Sequence, residues 1–205
     1  IKVSGNDAEK FLQGQFTNDV RQVNTTQSQL SAWCSPKGRI LVNFRLFQRD
    51  DNAYYLLMPQ ANVEATLQRL PRYVLRSQVK VADVSDEFSG IGVAGTQSTQ
   101  PLASSLNASP PSAINDSLTT GLITVLHIHG PTARYIVLSE DVPTLQTVWQ
   151  DLDAGGAYHV STDVWDLLEI LAGVPHILPP VVDEFVPQMV NYQALDGINF
   201  KKGCY

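Results

Sequence analysis

The sequence holds 205 residues, 43% of them hydrophobic and 17% charged, with a formal net charge of −6. That balance excludes a disordered chain, and the excess of carboxylates argues against a surface built to neutralise many phosphates, so direct binding of nucleic acid is not expected. No apolar run approaches the ~20 residues of a membrane span, the start lacks a secretory pattern, and two distant cysteines, Cys34 and Cys204, fit a reducing compartment such as the cytoplasm.

Asn6 and Glu9 stand three apart ahead of Phe11 and Leu12, the spacing of a capping box, and predict a short helix that Gly14 ends. Residues 30–34, 39–48 and 53–58 read as strands, separated by the turn formers Ser35-Pro36-Lys37-Gly38 and Arg49-Asp50-Asp51-Asn52, and predict an antiparallel meander. After Pro59, Val63, Leu67 and Leu70 fall at helical spacing, while 79–84 and 90–94 return to strand composition. The stretch 96–117 is dominated by Ser, Thr, Gln, Asn and Pro and is expected to be a polar surface connection with at most a brief helix. It divides the chain into a first lobe, 1–95, and a second, 118–205, whose last segment returns to the first. Residues 122–129 and 135–138 predict a further strand pair, 143–152 a helix, and 162–172 a helix capped by Thr162. Prolines between 173 and 187 leave an extended segment that packs across a surface. Strand runs alternating with helices predict an α+β fold of two lobes, largely antiparallel sheet with packed helices.

Cys204 follows Lys201, Lys202 and Gly203, and neighbouring positive charge favours thiolate over thiol, which marks a candidate functional thiol. The alternative is a small buried hydrophobe, the reading that suits Cys34 among its apolar neighbours. An iron–sulfur cluster takes three or four Cys or His ligands, so this chain does not hold one alone. His127 and His129 would share one strand face, but His159 and His176 come from separate segments without a zinc spacing, and no metal site is expected. Trp165, Leu168 and Ala172 form a helical stripe whose ordinary meaning is core packing, although a tryptophan near a pocket also stacks on flat heteroaromatic ligands. Gln188 and Asn191 carry amides that donate and accept, suited to the edge of a pterin or to tying down irregular backbone. Lys37 and Arg39 would meet a glutamate tail or solvate a turn.

The segments from Gly5 to Gln15 and Thr17-Asn18-Asp19-Val20 resemble the opening of the aminomethyltransferase-like folate-binding family, the family of the glycine cleavage T-protein. Lys37-Gly38-Arg39, Arg45-Leu46-Phe47, Gly92-Val93-Ala94-Gly95 and Trp165 with Ala172-Gly173-Val174-Pro175 resemble its YgfZ-type branch in the same order. Most specific are Phe185-Val186-Pro187-Gln188 with Asn191, Asp196-Gly197-Ile198, and Phe200-Lys201-Lys202-Gly203-Cys204-Tyr205, similar to the branch's signature. The resemblance implies an aminomethyltransferase-like folate-binding fold lacking its C-terminal β-barrel, with family sequence expected beyond both ends. It implies a site for tetrahydrofolate or a related folate in which Trp165 matches a folate-contacting tryptophan, and the amides of Gln188 and Asn191 are expected to add the polar contacts. It also implies a functional thiol at Cys204, with Lys202 and Gly203, in an accessory protein that supports iron–sulfur client enzymes and, through them, tRNA modification. Two departures bear on mechanism. Where transferases of the family carry an acidic residue after the Gly-rich turn, this chain has Val42-Asn43, which weakens the alternative reading, a tetrahydrofolate-dependent aminomethyltransferase. Where the branch reads Glu-Ala-Gly, this chain has Leu171-Ala172-Gly173, leaving Glu169 as the substitute carboxylate. A folate-free interaction scaffold is the third reading.

Overall fold

Segments that alternate inward and outward side chains form two separate antiparallel sheets in the computed structural model, which describes residues 1–50 and 53–203. The chain divides into a first unit, Ile1–Ser85 with Pro175–Tyr205, and a second unit, Asp86–Val174.

In the first unit, β1 (Lys2–Ser4), β2 (Gln29–Cys34), β3 (Ile40–Gln48), β4 (Ala53–Leu57) and β5 (Lys80–Ala82) lie in the order β2-β3-β4-β1-β5. The expected meander is β2-β3-β4, and β1 is inserted between β4 and β5 through pairs such as Val3 with Tyr54 and with Val81. Every second residue of β3 (Val42, Phe44, Leu46) enters one core with Trp33, Leu56 and Val3. The helices α1 (Ala8–Gln13) and α2 (Val63–Arg69) close that core, α1 through Phe11 and Leu12 and α2 through Val63. The β2–β3 turn tightens through Ser35 and Arg39, whose N–H and C=O meet at 2.8 Å, and Gly38 supplies the left-handed φ of +72° that the turn needs.

In the second unit, β6 (Ser89–Ala94), β7 (Ser117–Thr120), β8 (Ile123–Ile128) and β9 (Arg134–Ser139) take the order β6-β9-β8-β7. Ile91, Val93, Val125, Tyr135 and Val137 share the face covered by α3 (Thr99–Leu106) and α4 (Val142–Ala154), which contribute Leu102, Leu106, Leu145, Val148 and Leu152. A fifth helix, α5 (Thr162–Leu171), follows. Asp141 caps α4, its carboxylate accepting from the Thr144 N–H at 2.9 Å.

Several local expectations give way to longer-range contacts. The capping box does not form. Asn6 Nδ2 donates instead to Gln78 Oε1 (3.2 Å), and Glu9 accepts from the Tyr54 hydroxyl (3.4 Å), because the lead-in to β5 and strand β4 offer partners beside the helix start. Ser161, not Thr162, occupies the cap position of α5, without a side-chain bond. The polar stretch 96–117 lies inside the second unit rather than joining lobes, since Leu102 and Leu106, four apart, give α3 an apolar side that its Ser and Thr content conceals.

Candidate functional site

The segment after Pro175 is irregular, and irregular backbone leaves N–H and C=O groups that side chains must satisfy. The first unit's sheet, its β2–β3 turn and the residue before α2 supply them. Asn43, 6% exposed on β3, uses both ends of its amide: Nδ2 donates to the Pro175 carbonyl at 2.6 Å and Oδ1 accepts from the Ile177 N–H at 3.1 Å. Asn62 donates to the Ile177 carbonyl at 2.7 Å. Arg39 Nη1 donates to the Glu184 carbonyl at 2.7 Å, and Ser35 Oγ donates to Asp183 at 2.6 Å. Further on, the fully buried Tyr192 donates its hydroxyl to the Ser31 carbonyl at 2.9 Å. Burial pushes the Tyr192 phenol far up, so it remains a donor at any physiological pH.

Two of the stretches that carry the family resemblance, Thr17-Asn18-Asp19 and 196–203, are hydrogen-bonded to each other. Thr17 Oγ1 donates to the Gly197 carbonyl (2.8 Å) and accepts from the Ala32 N–H (2.9 Å), while the Thr17 carbonyl accepts from the Asn199 N–H (3.0 Å). Asn18 Nδ2 bridges the carbonyls of Leu30 (2.9 Å) and Asp196 (2.6 Å). The Lys202 ammonium donates to the carbonyl of Gln13, the last residue of α1, where helix carbonyls lack intrahelical partners and a cation is favoured. Burial lowers the Lys202 pKa, opposed by the nearby Asp19 carboxylate. Gln13 also accepts the Val20 N–H on its side-chain oxygen at 2.7 Å, so one residue ties α1, the Thr17–Asp19 loop and the Lys-Gly element together. Asp19 takes Nε and Nη2 of Arg21 at 2.8 Å each, which holds its carboxyl below the usual carboxylate range.

In the second unit Trp165 is half-buried on α5. The Arg134 guanidinium lies 4.2 Å from its ring, a cation–π contact, and a Cβ at Gly92 of β6 would collide with the ring's other carbons. Arg134, whose side chain is 0% exposed, donates to Glu169 Oε1 at 2.6 Å and to the carbonyls of His129 (2.9 Å) and Leu168 (3.2 Å). Glu169, considered as a substitute carboxylate for a ligand, is therefore engaged by Arg134. Trp165 packs against Arg134 and Gly92, in keeping with its helical stripe, and stays half-exposed.

Gln188 and Asn191 are exposed in the first unit, Asn191 at a left-handed φ of 54°, and neither side chain forms a hydrogen bond among the described residues. Their amides are open to a ligand. Trp165 belongs to the second unit. Cys204 lies outside the described residues, whereas Gly203, at a φ of +94°, and Lys202 lie inside them. Cys34 is half-buried, and burial pushes its thiol up to about 12, which keeps it protonated and unreactive. Among the described residues no group of three His, Cys, Asp or Glu is placed to hold a metal ion, and no helix is long and apolar enough to cross a membrane. Sequence reasoning missed Gln13, Asn18, Asn62 and Tyr192 as members of this arrangement. Gln13, Asn18 and Tyr192 lie inside or beside the resembling motifs, but nothing local marks Asn62, which acts on backbone 115 residues away.

Among solved structures, the chain is similar to glycine cleavage system aminomethyltransferase T from Bartonella henselae, with a TM-score of 0.63 over 74% of this chain and 42% of that one; at 15% identity this is a likeness of fold. Proteins named "tRNA-modifying protein YgfZ" match along its length: that of Colwellia psychrerythraea is 36% identical over 209 residues, covering 100% of this chain, and that of Enterobacter sp. is 37% identical over 203 residues, covering 99%. The chain spans 61% of the length of these curated relatives. The GCVT N-terminal domain family matches residues 1–112, more than half of the sequence. The chain thus belongs to the GCVT N-terminal domain family, as a YgfZ-type member.

Proposed function

We propose that this chain is the folate-binding part of a cytoplasmic accessory protein that supports iron–sulfur client enzymes and, through them, tRNA modification, with Cys204 as its functional thiol. The observation that carries the reading is the match of the whole chain to relatives named as tRNA-modifying proteins. Asn43 favours an accessory role over one-carbon transfer. Its amide is consumed by the Pro175 carbonyl and the Ile177 N–H, and an amide is a poor general base. The exposed amides of Gln188 and Asn191 suit the donor and acceptor edge of a pterin, and the indole of Trp165 offers a flat apolar surface. The Lys202 ammonium is committed to Gln13, so Lys201 is the lysine left to favour a Cys204 thiolate.

Calorimetric titration with tetrahydrofolate, beside the Trp165→Ala and Asn191→Ala variants, tests the folate part. Both variants are expected to weaken binding; unchanged affinity in both moves the site elsewhere, and turnover of tetrahydrofolate restores the transferase reading. Complementation of a client iron–sulfur enzyme in cells tests the thiol. Cys204→Ser is expected to fail and Cys34→Ser to succeed, and full support by Cys204→Ser makes the motif structural.

A further inference from the structure

The α2 segment and the turns after it concentrate positive charge in an acidic chain. Between residues 60 and 80, Arg69, Arg72, Arg76 and Lys80 stand against Glu64 alone, a local balance of four minus one, +3, in a chain of −6. All three arginines are exposed, and none pairs with a carboxylate among the described residues. Between them Leu75 is 88% exposed at a φ of 49°, a left-handed backbone that is costly for any residue with a Cβ. Beside them runs a groove of about 180 Å³, lined mainly by Trp33, Leu41, Val42, Pro179 and Val182, with Arg69 also on its wall. Tyr73 meets Trp33 edge to face at 5.7 Å, which joins the arginine-rich turn to the groove.

We propose that this face docks an acidic peptide segment of a partner protein, one apolar side chain entering the groove while flanking carboxylates meet Arg69, Arg72 and Arg76. Arginine forks match carboxylates bidentately, and none of the three has an internal carboxylate to displace among the described residues; Arg72 Nε donates to the Gln68 carbonyl (2.9 Å). The groove is smaller than the ~300–1,000 Å³ of small-molecule sites and suits a single Leu or Phe side chain. RNA would use the arginines but not the groove, since Trp33 is only 4% exposed and offers no stacking face. The overall charge of −6 also repels a long polyanion, whereas a short acidic segment meets chiefly the local +3.

The test is fluorescence anisotropy of a labelled dodecapeptide of Glu and Asp around one central Leu, titrated with the full chain. Saturable binding is expected, weakened about tenfold or more by Arg69→Glu with Arg76→Glu. Ala65→Trp, which fills the groove from an exposed helix position, and a peptide with Ser in place of Leu should each weaken it severalfold. Tetrahydrofolate affinity of the same variants should not change, which separates this proposal from the folate reading. No saturable binding, equal affinity in the charge-reversed variant, or tighter binding of an oligouridylate of equal length overturns the proposal.

Discussion

The two antiparallel sheets are secured in opposite ways. The first unit's sheet is tied to a returning segment by amide and hydroxyl side chains, each bonding to backbone 115 to 180 residues away. The second unit is continuous in sequence, and its helices pack on their own sheet through an apolar core and one buried ion pair, Arg134 with Glu169. Polar stitching fixes where an irregular segment lies, because each bond has a required geometry, whereas apolar packing fixes depth but tolerates sliding. The family's signature stretch sits on the stitched side, where position matters most.

The largest loss is expected in the second unit. Glu169→Ala leaves the fully buried Arg134 guanidinium without its carboxylate and is expected to cost about 3–5 kcal/mol in urea unfolding. Replacing both partners with Met and Leu should recover most of that loss, since it removes the buried charge as well. In the first unit, Asn43→Asp sets an oxygen against the Pro175 carbonyl in place of a donor and should cost about 1–3 kcal/mol, with the return segment more open to proteolysis. Stability equal to wild type would mean that the stitch is dispensable. Tyr192→Phe removes the bond to the Ser31 carbonyl and the contact with the Asn43 amide, and should cost about 1 kcal/mol.

The smallest effect is electrostatic. Arg21 holds the Asp19 carboxyl below its ordinary value, so the folded-state pKa is depressed. The contribution is present above the ordinary carboxylate pKa of about 4 and is lost as pH falls through the lower folded value. Asp19→Asn should be slightly less stable than wild type at pH 7, and the difference should close below about pH 4; Arg21, 59% exposed, keeps it small. A difference that persists at low pH would trace the effect to lost hydrogen bonds rather than charge.

Where a signal was local, the sequence announced it. The strand expected at 39–48, the helix expected at 143–152 and the glycine that ends α1 all appear where strand composition, helical pattern and turn formers place them. Strand β1 is three residues long, too short for a period, and β7 is Ser-Leu-Thr-Thr, whose polarity hides a strand that exists by pairing with β8. The site was legible only as motifs. That Lys202 caps α1 follows from a helix end 189 residues earlier, and that Asn43 serves structure rather than proton transfer follows from where Pro175 arrives. Neither partner can be inferred from neighbours in sequence.

The discontinuity of the first unit sets an order of events during synthesis. Thr17 and Asn18 leave the ribosome long before Gly197 and Asp196, and until residues 175–192 emerge the Asn43 amide of β3 and the Ser31 carbonyl of β2 also lack their partners. The second unit has its entire sequence available earlier, and such contiguous segments close smaller loops and condense sooner. The nascent chain therefore completes its middle before its beginning, and the Lys202 bond to Gln13 forms only after both of its partners have emerged.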